Sequence, residues 1–385
     1  MTAFDVTLLI FFLIILSAIS KRFPFSAPIA TFFGIVWGCL GGQISIFSME
    51  CIAKVSLIFF LFIDGARLHF TKALHYHSIR LPLVGFAISL VLSALFLQLF
   101  WGFSLQNALI ITLPLLTIDA KTTPHAFSAM LPIRVQQMVN VEGAFSGQIA
   151  FFIFSLLILS HPLAFFRELL LAALIGSALS YFATFLLKAS MKFKWGKPPL
   201  VRGSLVLLPF LVFGLCTFLK VNGLIGALFS GIIIGHFARA QCGAIFDLSR
   251  RAGTYLYQLL FIIFGVFAVH VISKVYLIPA LIFALSFLSL IRFIATTLSF
   301  IHSPYQWKTI GYFTFMNPKG VITVAMIVVF MNHFQHFGLQ ITVLVALITL
   351  YIQLLFSPIA AKVYGKYLKE NRDLYENFPT VALPY

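Results

Sequence analysis

Long runs of apolar residues, separated by short polar connections, occupy most of the chain between residues 4 and 360. We divide them into thirteen spans, with approximate limits 4–20, 26–42, 50–66, 81–101, 107–131, 139–160, 164–187, 203–219, 222–237, 254–272, 276–299, 309–332 and 338–360. A straight helix needs about 20 apolar residues to cross a bilayer, and shorter spans are typical of broken or tilted helices. The pattern predicts an all-α polytopic membrane protein with about 13 transmembrane helices.

The composition supports this picture and excludes other classes. The 385 residues are 61% hydrophobic and 9% charged, with a mean hydropathy of +1.05, which is not the composition of a soluble domain. The net charge of +16 could suggest nucleic acid, but the positive residues lie in short loops and form no single patch. Four scattered cysteines predict neither a disulfide nor a metal site. We expect membrane lipid, and no nucleic acid, around the protein.

Lysine and arginine residues set the expected orientation. With the N-terminus outside, the inward loops hold 19 of the 26 Lys and Arg residues, the outward loops hold 3 and the spans hold 4. Cytoplasmic loops of membrane proteins carry such an excess of positive charge. We therefore expect an odd number of helices and a basic cytoplasmic tail after Lys362.

Polar residues and helix breakers within the spans cluster in two places. The first cluster, from Leu113 to Phe154, holds Asp119, Lys121, His125 and Glu142 together with Pro114, Pro124, Gly143 and Gly147. The second, in spans eleven and twelve, holds Arg292 and the sequence Asn317-Pro318-Lys319-Gly320. Pro and Gly inside apolar runs predict broken helices, and one broken span in each half of a chain is typical of inverted-repeat transporters.

Charged groups at membrane depth are costly and persist when they are paired or face a wet cavity, so they mark a functional site by default. The alternative is an ion pair that only holds helices together. Simpler interpretations also stay open for single residues. Asp119 could neutralise Lys121, Asp64 could lie at the membrane interface near Arg67, and His125 could be a packed histidine instead of a proton relay.

Glycines at four-residue spacing occur in two of the spans. They are Gly34, Gly38 and Gly42 in the second span, and Gly231 and Gly235 in the ninth. Small residues at this spacing let helix backbones approach closely in membranes. We therefore expect these glycines to form helix contacts and not to bind a ligand.

Several segments carry further short motifs. They are Lys21–Gly42, LFIDGARL with Asp64, Thr117-Ile118-Asp119, Glu142 followed by Ser146-Gly147, Asn222-Gly223-Leu224 with Gly231 and Gly235, Leu290-Ile291-Arg292, and Pro318-Lys319-Gly320-Val321. In this order, and on matching spans, these motifs resemble the monovalent cation/proton antiporters of the thirteen-helix sodium/proton exchanger type. The resemblance covers the whole apolar region of the chain.

The resemblance implies a domain organisation. It implies one transmembrane transporter domain over residues 1–360 with inverted repeats and two broken, crossing helices. The core bundle would lie at roughly 81–160 and 276–360, the remaining helices would form the scaffold and dimer part, and residues 361–385 would be a short cytoplasmic tail. A homodimer in a bacterial inner membrane is the corresponding expectation.

The ion site departs from the family pattern in two ways. Where the family has an Asn-Asp pair whose Asp carries the proton or cation, this chain has Ser146-Gly147. Where the family has Thr-Asp-Pro, this chain reads Thr-Ile-Asp-Ala-Lys, which places Lys121 two residues after Asp119. These departures leave a changed mechanism and a loss of transport both open.

An exchanger needs a carboxylate that is reachable from both sides and holds either a proton or a cation. Asp119, on the broken fifth span, is our first candidate for this role and Asp64 is the second. Thr117 and Ser146 are expected to supply oxygens for the ion or proton.

The remaining charged residues receive supporting roles. The resemblance implies that Glu142 and Arg292 form a buried pair that supports the bundle. Lys121 and Lys319, with the ends of the half-helices, would shape the electric field at the crossing.

We therefore predict a secondary active transporter that exchanges Na⁺ or K⁺ for protons by alternating access, without a cofactor or a resident metal. Two alternatives stay open: a transport-deficient sensor or scaffold with the same fold, and a transporter of a different solute. An enzyme is disfavoured, because Asp64 and Asp119 lack the sequence context of a protease and no HExxH motif occurs in the sequence.

Overall fold

A computed structural model describes residues 3–20, 26–67, 79–119, 133–158, 162–193, 205–301, 307–315 and 319–370. These residues form fifteen α-helices and no strand. The helices are α1 (Ala3–Ser20), α2 (Ser26–Cys39), α3 (Ile46–Arg67), α4 (Phe86–Trp101), α5 (Leu105–Leu116), α6 (Ile133–Ile158), α7 (Pro162–Phe193), α8 (Leu208–Phe218), α9 (Gly223–Phe237), α10 (Arg239–Val271), α11 (Leu277–Ser286), α12 (Arg292–Ser299), α13 (Trp307–Phe315), α14 (Val321–Val329) and α15 (His336–Glu370). Short π-helical segments precede α4 (Leu81–Gly85) and join α11 to α12 (Phe287–Ile291).

The lengths of these helices match a membrane protein. Seven helical segments of the described chain are long and apolar enough to cross a bilayer, and α2, α5, α8 and α9 are shorter apolar helices. Each predicted span contains a helix or part of one. The all-helical membrane architecture is thereby confirmed, whereas the number of thirteen crossings stays a prediction.

Large apolar side chains cover the outside of the bundle. Leu99, Leu163 and Phe218 are 79%, 85% and 81% exposed, which would be costly in water but suits lipid. The helix α7 is the least buried of the seven long apolar segments, because only 22% of its most apolar 18-residue stretch lies inside the protein. This surface is the one that the hydrophobic runs of the sequence predict.

The helix α14 lies at the centre of the bundle. All residues from Val321 to Val328 are buried. The helix packs against α3, α5, α6, α10 and α15. A half-helix in this position can bring its N-terminus to the middle of the protein.

Glycines allow backbones to touch in two helix pairs, as predicted. A Cβ at Gly231 or Gly235 of α9 would overlap the carbonyl oxygen of Phe62 or Ala66 in α3. A Cβ at Gly34 of α2 would likewise overlap the backbone of α10 at Ile262. Gly38 contacts α10 at the Val269 side chain.

The prediction for Gly42 differs from the structure. Its Cα lies against the indole of Trp37, five residues earlier in the same segment, and not against a neighbouring helix. The residue follows the end of α2 at Cys39, so it no longer lies on the glycine face of that helix. The four-residue spacing of glycines therefore continues past the C-terminal end of α2, where it no longer predicts a helix contact.

Two helices extend past the predicted spans. The helix α10 begins at Arg239, fifteen residues before the predicted span, and α15 continues to Glu370, into the predicted tail. Hydropathy reports only the part of a helix that lies in lipid, so a polar helical extension is not visible in it. The segments expected as a loop and a tail are thus partly helical.

Candidate functional site

The helix α5 ends in the middle of the bundle. Pro114 lies in its last turn, and Thr117 follows in an extended conformation with φ −68° and ψ 134°. The Thr117 hydroxyl donates to the carbonyl oxygen of Pro114 at 2.8 Å, which satisfies one of the carbonyls left free at the helix end. The chain continues without helix through Ile118 to Asp119.

The helix α14 begins at a similar break. Lys319 and Gly320 precede it without helical structure, and Gly320 is extended with φ −125° and ψ −165°. Asn317 and Pro318, which the sequence predicted to cause the break, lie outside the described residues.

The two breaks meet through a pair of threonines. The hydroxyls of Thr117 and Thr323 lie 2.5 Å apart, and the Thr117 carbonyl oxygen lies 3.4 Å from the Thr323 hydroxyl as an alternative acceptor. Both residues are buried. These bonds join two segments that are 206 residues apart in the sequence, so the breaks form one site.

Asp119 lies at this crossing and is half-buried. The Cα of Gly320 lies against its side chain, so a Cβ at residue 320 would overlap it. The phenol of Tyr257, on α10, is close enough for an electrostatic interaction with the carboxylate. Transporters place their substrate and ion sites at such helix breaks.

The helix α6 contributes Ser146 and Gly147 to the crossing. The Ser146 hydroxyl accepts the backbone N–H of Ile118 at 3.1 Å and thereby fixes the extended segment before Asp119. The space beside Gly147 is filled by the Cδ1 methyl of Ile322, 2.7 Å from the position of an ideal Cβ. The position where the resembling family carries its Asp therefore faces an apolar side chain.

Lys319 is buried at the end of α5. Its ammonium donates to the carbonyl oxygen of Leu115 and lies 4.9 Å from the ring centroid of Phe287. Its backbone N–H donates to the Oε1 of Gln353 at 3.2 Å. A positive charge next to the last carbonyls of a helix is favourable because these carbonyls form the negative end of the helix dipole.

Glu142 and Arg292 form the expected ion pair. Arg292 Nη2 donates to Glu142 Oε1, and both side chains are buried. Arg292 is the first residue of α12, directly after a π-helical segment, a distortion that is frequent at functional sites. Thr296 and Thr314, whose hydroxyls are 2.8 Å apart, connect the same helix to α13.

The other predicted residues lie elsewhere. Asp64 is buried on α3, next to Gly65, whose Cα packs against the Leu228 carbonyl of α9. The helix α3 also packs against α14. Lys121 and His125 lie outside the described residues.

Sequence reasoning missed several residues of the crossing. Thr323, Ile322, Phe287 and Tyr257 gave no signal, because each type is common in membrane helices. Gln353 could have been found, since it is an amide in the apolar run of the last span.

Comparisons with known proteins identify relatives of this arrangement. The model of the family described as "Sodium/hydrogen exchanger, transmembrane" matches residues 6–362. Among solved structures, the sodium proton antiporter MjNhaP1 from Methanocaldococcus jannaschii at pH 8 is similar, with a TM-score of 0.71 and 17% identity over 93% of this chain and 97% of that chain. An electron-microscopy structure of MjNhaP1 has a TM-score of 0.71 and 16% identity over 100% of both chains. No curated protein matches the sequence.

Proposed function

Because this chain belongs to the sodium/hydrogen exchanger transmembrane family, we propose that it exchanges a monovalent cation, Na⁺ or K⁺, for protons by alternating access. The observation that carries the proposal is Asp119, a half-buried carboxylate where two helix breaks meet. In this mechanism the carboxylate holds either a proton or a cation, and only the loaded site moves across the membrane.

The neighbours of Asp119 suit this role. Breaks expose backbone carbonyls and hydroxyls at the centre of the bundle, and these are the oxygens that alkali cations prefer. Thr117 and Ser146 hold the extended segment in place through hydrogen bonds. Arg292 contacts Glu142, and the Lys319 ammonium contacts the Leu115 carbonyl, so both fixed positive charges have partners within the bundle.

Substitution of Asp119 tests the proposal. In everted vesicles, the wild type should dissipate a proton gradient when Na⁺, K⁺ or Li⁺ is added, and Asp119→Asn should abolish this response at an unchanged expression level. Glu50→Gln is a matched control, because Glu50 pairs with Lys54 at 2.5 Å on a partly exposed helix surface. Normal exchange by Asp119→Asn would assign the carrier role elsewhere, and Asp64→Asn would then be the next variant.

Lys121 supplies a second test of the same site. Two residues after Asp119, its ammonium would compete with a cation for the carboxylate. A desolvated lysine releases its proton more readily, so competition would weaken and exchange would rise at alkaline pH. Lys121→Ala should therefore increase the apparent cation affinity and extend exchange to lower pH. An unchanged pH profile would remove Lys121 from the mechanism.

A transport-deficient scaffold is the second candidate function. It is favoured by one observation, the Ile322 methyl in the space beside Gly147, where the family pattern has a carboxylate. A wild type that moves no protons with any of the three cations, at any pH, would favour this function over exchange.

The protein is further proposed to be a homodimer in the plasma membrane, with its N-terminus outside. The exposed apolar face of α7, with Leu174, Phe182 and Phe185, supports this helix as the contact between the two protomers. Cross-linking of a Phe182→Cys variant in membranes should give a dimer, whereas Leu99→Cys on α4 should not.

A further inference from the structure

A pocket of about 330 Å³ lies away from the crossing. It is located at the C-terminal ends of α6 and α14, two helices that also contribute to the crossing. One wall is formed by Ser155 of α6 and by Phe330, the residue that follows α14. The other wall is formed by Glu168 of α7 and by Thr217, Lys220 and Asn222 around the turn between α8 and α9. The pocket therefore lies between the helices that carry the crossing and the helices α7 to α9.

The same two helices connect the pocket to the crossing. Ser155 follows Ser146 by nine residues on α6, a distance of roughly 13 Å at the rise of an α-helix. Phe330 follows Thr323 by seven residues, which corresponds to roughly 10 Å. All lining residues lie on the side of the bundle that the distribution of Lys and Arg predicts to be external.

Two polar groups in the pocket have no protein partner in the described part of the chain. The hydroxyl of Ser155 is buried and makes no hydrogen bond there. The carboxylate of Glu168 is half-buried, and no ion pair within 4.0 Å involves it among the described residues. Buried polar groups normally find a partner, so the Ser155 hydroxyl indicates that the pocket takes up water or an ion, and the half-buried Glu168 carboxylate adds a negative charge to the same pocket.

Lys220 lies on the same wall but at its rim. It is exposed and adopts a left-handed conformation with φ +56°, which is uncommon for a residue other than glycine. An exposed ammonium is screened by water, whereas a half-buried carboxylate between apolar walls is screened less. The electrostatic potential inside the pocket should therefore be negative, because the carboxylate of Glu168 contributes more to it than the ammonium of Lys220.

We propose that this pocket is the outer vestibule of the transport pathway and that Glu168 and Ser155 hold a hydrated monovalent cation in it before the cation reaches Asp119. The volume corresponds to roughly ten water molecules at about 30 Å³ each, which is enough for an ion with its hydration shell. Lys220 lowers the occupancy by repelling the same cation. The inference rests on the proposed cation exchange.

The vestibule can be tested without measuring transport. In a variant whose four native cysteines are replaced by alanine, Ser155→Cys should react with methanethiosulfonates added to the outside of intact cells. A cationic reagent should react several-fold faster than an anionic one. Leu211→Cys, on the lipid-facing side of α8, should not react.

Neutral substitutions of Glu168 and of Lys220 should change the ratio of cationic to anionic reactivity in opposite directions. Glu168→Gln should lower the ratio of cationic to anionic reactivity, and Glu168→Asp should restore it. Lys220→Asn should raise the ratio, and asparagine is chosen because it tolerates the left-handed conformation. Glu50→Gln should leave the ratio unchanged. An unreactive Ser155→Cys, or a ratio that ignores Glu168, would overturn the vestibule.

A transport measurement separates this inference from the proposed function. With cation supplied from outside, Glu168→Gln should raise the apparent KM several-fold and leave kcat unchanged. An unchanged KM would overturn the role of Glu168 while exchange itself stands. A charge-selective pocket in a protein that moves no protons would instead overturn exchange while the cation-binding pocket stands.

Discussion

The guanidinium of Arg292 and the carboxylate of Glu142 lie in a part of the protein that water does not reach freely. Removing one partner of such a pair strands the other charge and costs about 3–5 kcal/mol. Arg292→Ala should therefore lower the melting temperature and the yield of the purified protein far more than Lys188→Ala, which changes an exposed residue of α7. The double variant Glu142→Ala/Arg292→Ala should be less destabilised than the sum of the single variants, in a thermal-shift assay in detergent. If Arg292→Ala and Lys188→Ala had the same melting temperature, a structural role of the Glu142–Arg292 pair would be contradicted.

Gln353 supports the break before α14, because its side-chain oxygen accepts a hydrogen bond from the backbone N–H of Lys319. Gln353→Met keeps the size of the side chain but leaves this buried N–H without its acceptor, at a cost of about 1–3 kcal/mol. We expect a lower melting temperature and a reduced exchange rate, measured on the same preparation. Gln335→Met, at an exposed position, is the control and should change neither quantity.

Among single residues, those that carry charge in an apolar span were predictable from the sequence. Glu142, Arg292 and Lys319 stand out because charge is expensive in lipid. Thr323 could not be predicted, since a threonine in a membrane helix usually bonds to its own backbone, and only the folded chain places it against Thr117.

Helix contacts form the next scale, and glycines of α9 allow its backbone to lie directly against that of α3. Gly231→Ala places a Cβ on the Phe62 carbonyl oxygen, so the backbones must separate and the protein should lose stability. Gly214→Ala in α8 is the matched control, because a Cβ there has no neighbour within 4 Å. Alanine is the better helix former by up to about 1 kcal/mol, so this control should be neutral or slightly stabilising in a thermal-shift assay. A stable Gly231→Ala variant would show that the two helices can move apart freely.

The existence of the elements was predictable from apolar runs, whereas some of their ends were not. Pro114 correctly indicated where α5 fails, because a proline removes a backbone donor and clashes with the preceding turn. The π-helical segment before Arg292 could not be predicted, since the letters Phe287 to Ile291 are those of any apolar helix.

The molecule as a whole is placed in the membrane by its positive charges. We expect reporter fusions at Gly196 and at the C-terminus to read as cytoplasmic, and a fusion after Gln43 to read as external. Gly196 lies outside the described residues, and its position is predicted from the sequence alone. A cytoplasmic signal after Gln43 would contradict the orientation and would place the proposed vestibule on the inner side.

The fold of the whole chain was predictable to the level of a helical transporter with two breaks, because lipid permits few architectures. The crossing of the two breaks was expected only from the resemblance. Residue patterns alone do not show that segments 206 residues apart meet, because this depends on how the intervening helices pack.

The methyl group of Ile322 beside Gly147 limits which side chains residue 147 can carry. An acid at residue 147 would have to enter a space that is now occupied by an apolar side chain without a polar partner. Ile322→Thr, which opens room and adds a hydroxyl, should make an Asp at residue 147 easier to accommodate. The double variant Gly147→Asp/Ile322→Thr is therefore expected to be more stable than Gly147→Asp alone in a thermal-shift assay.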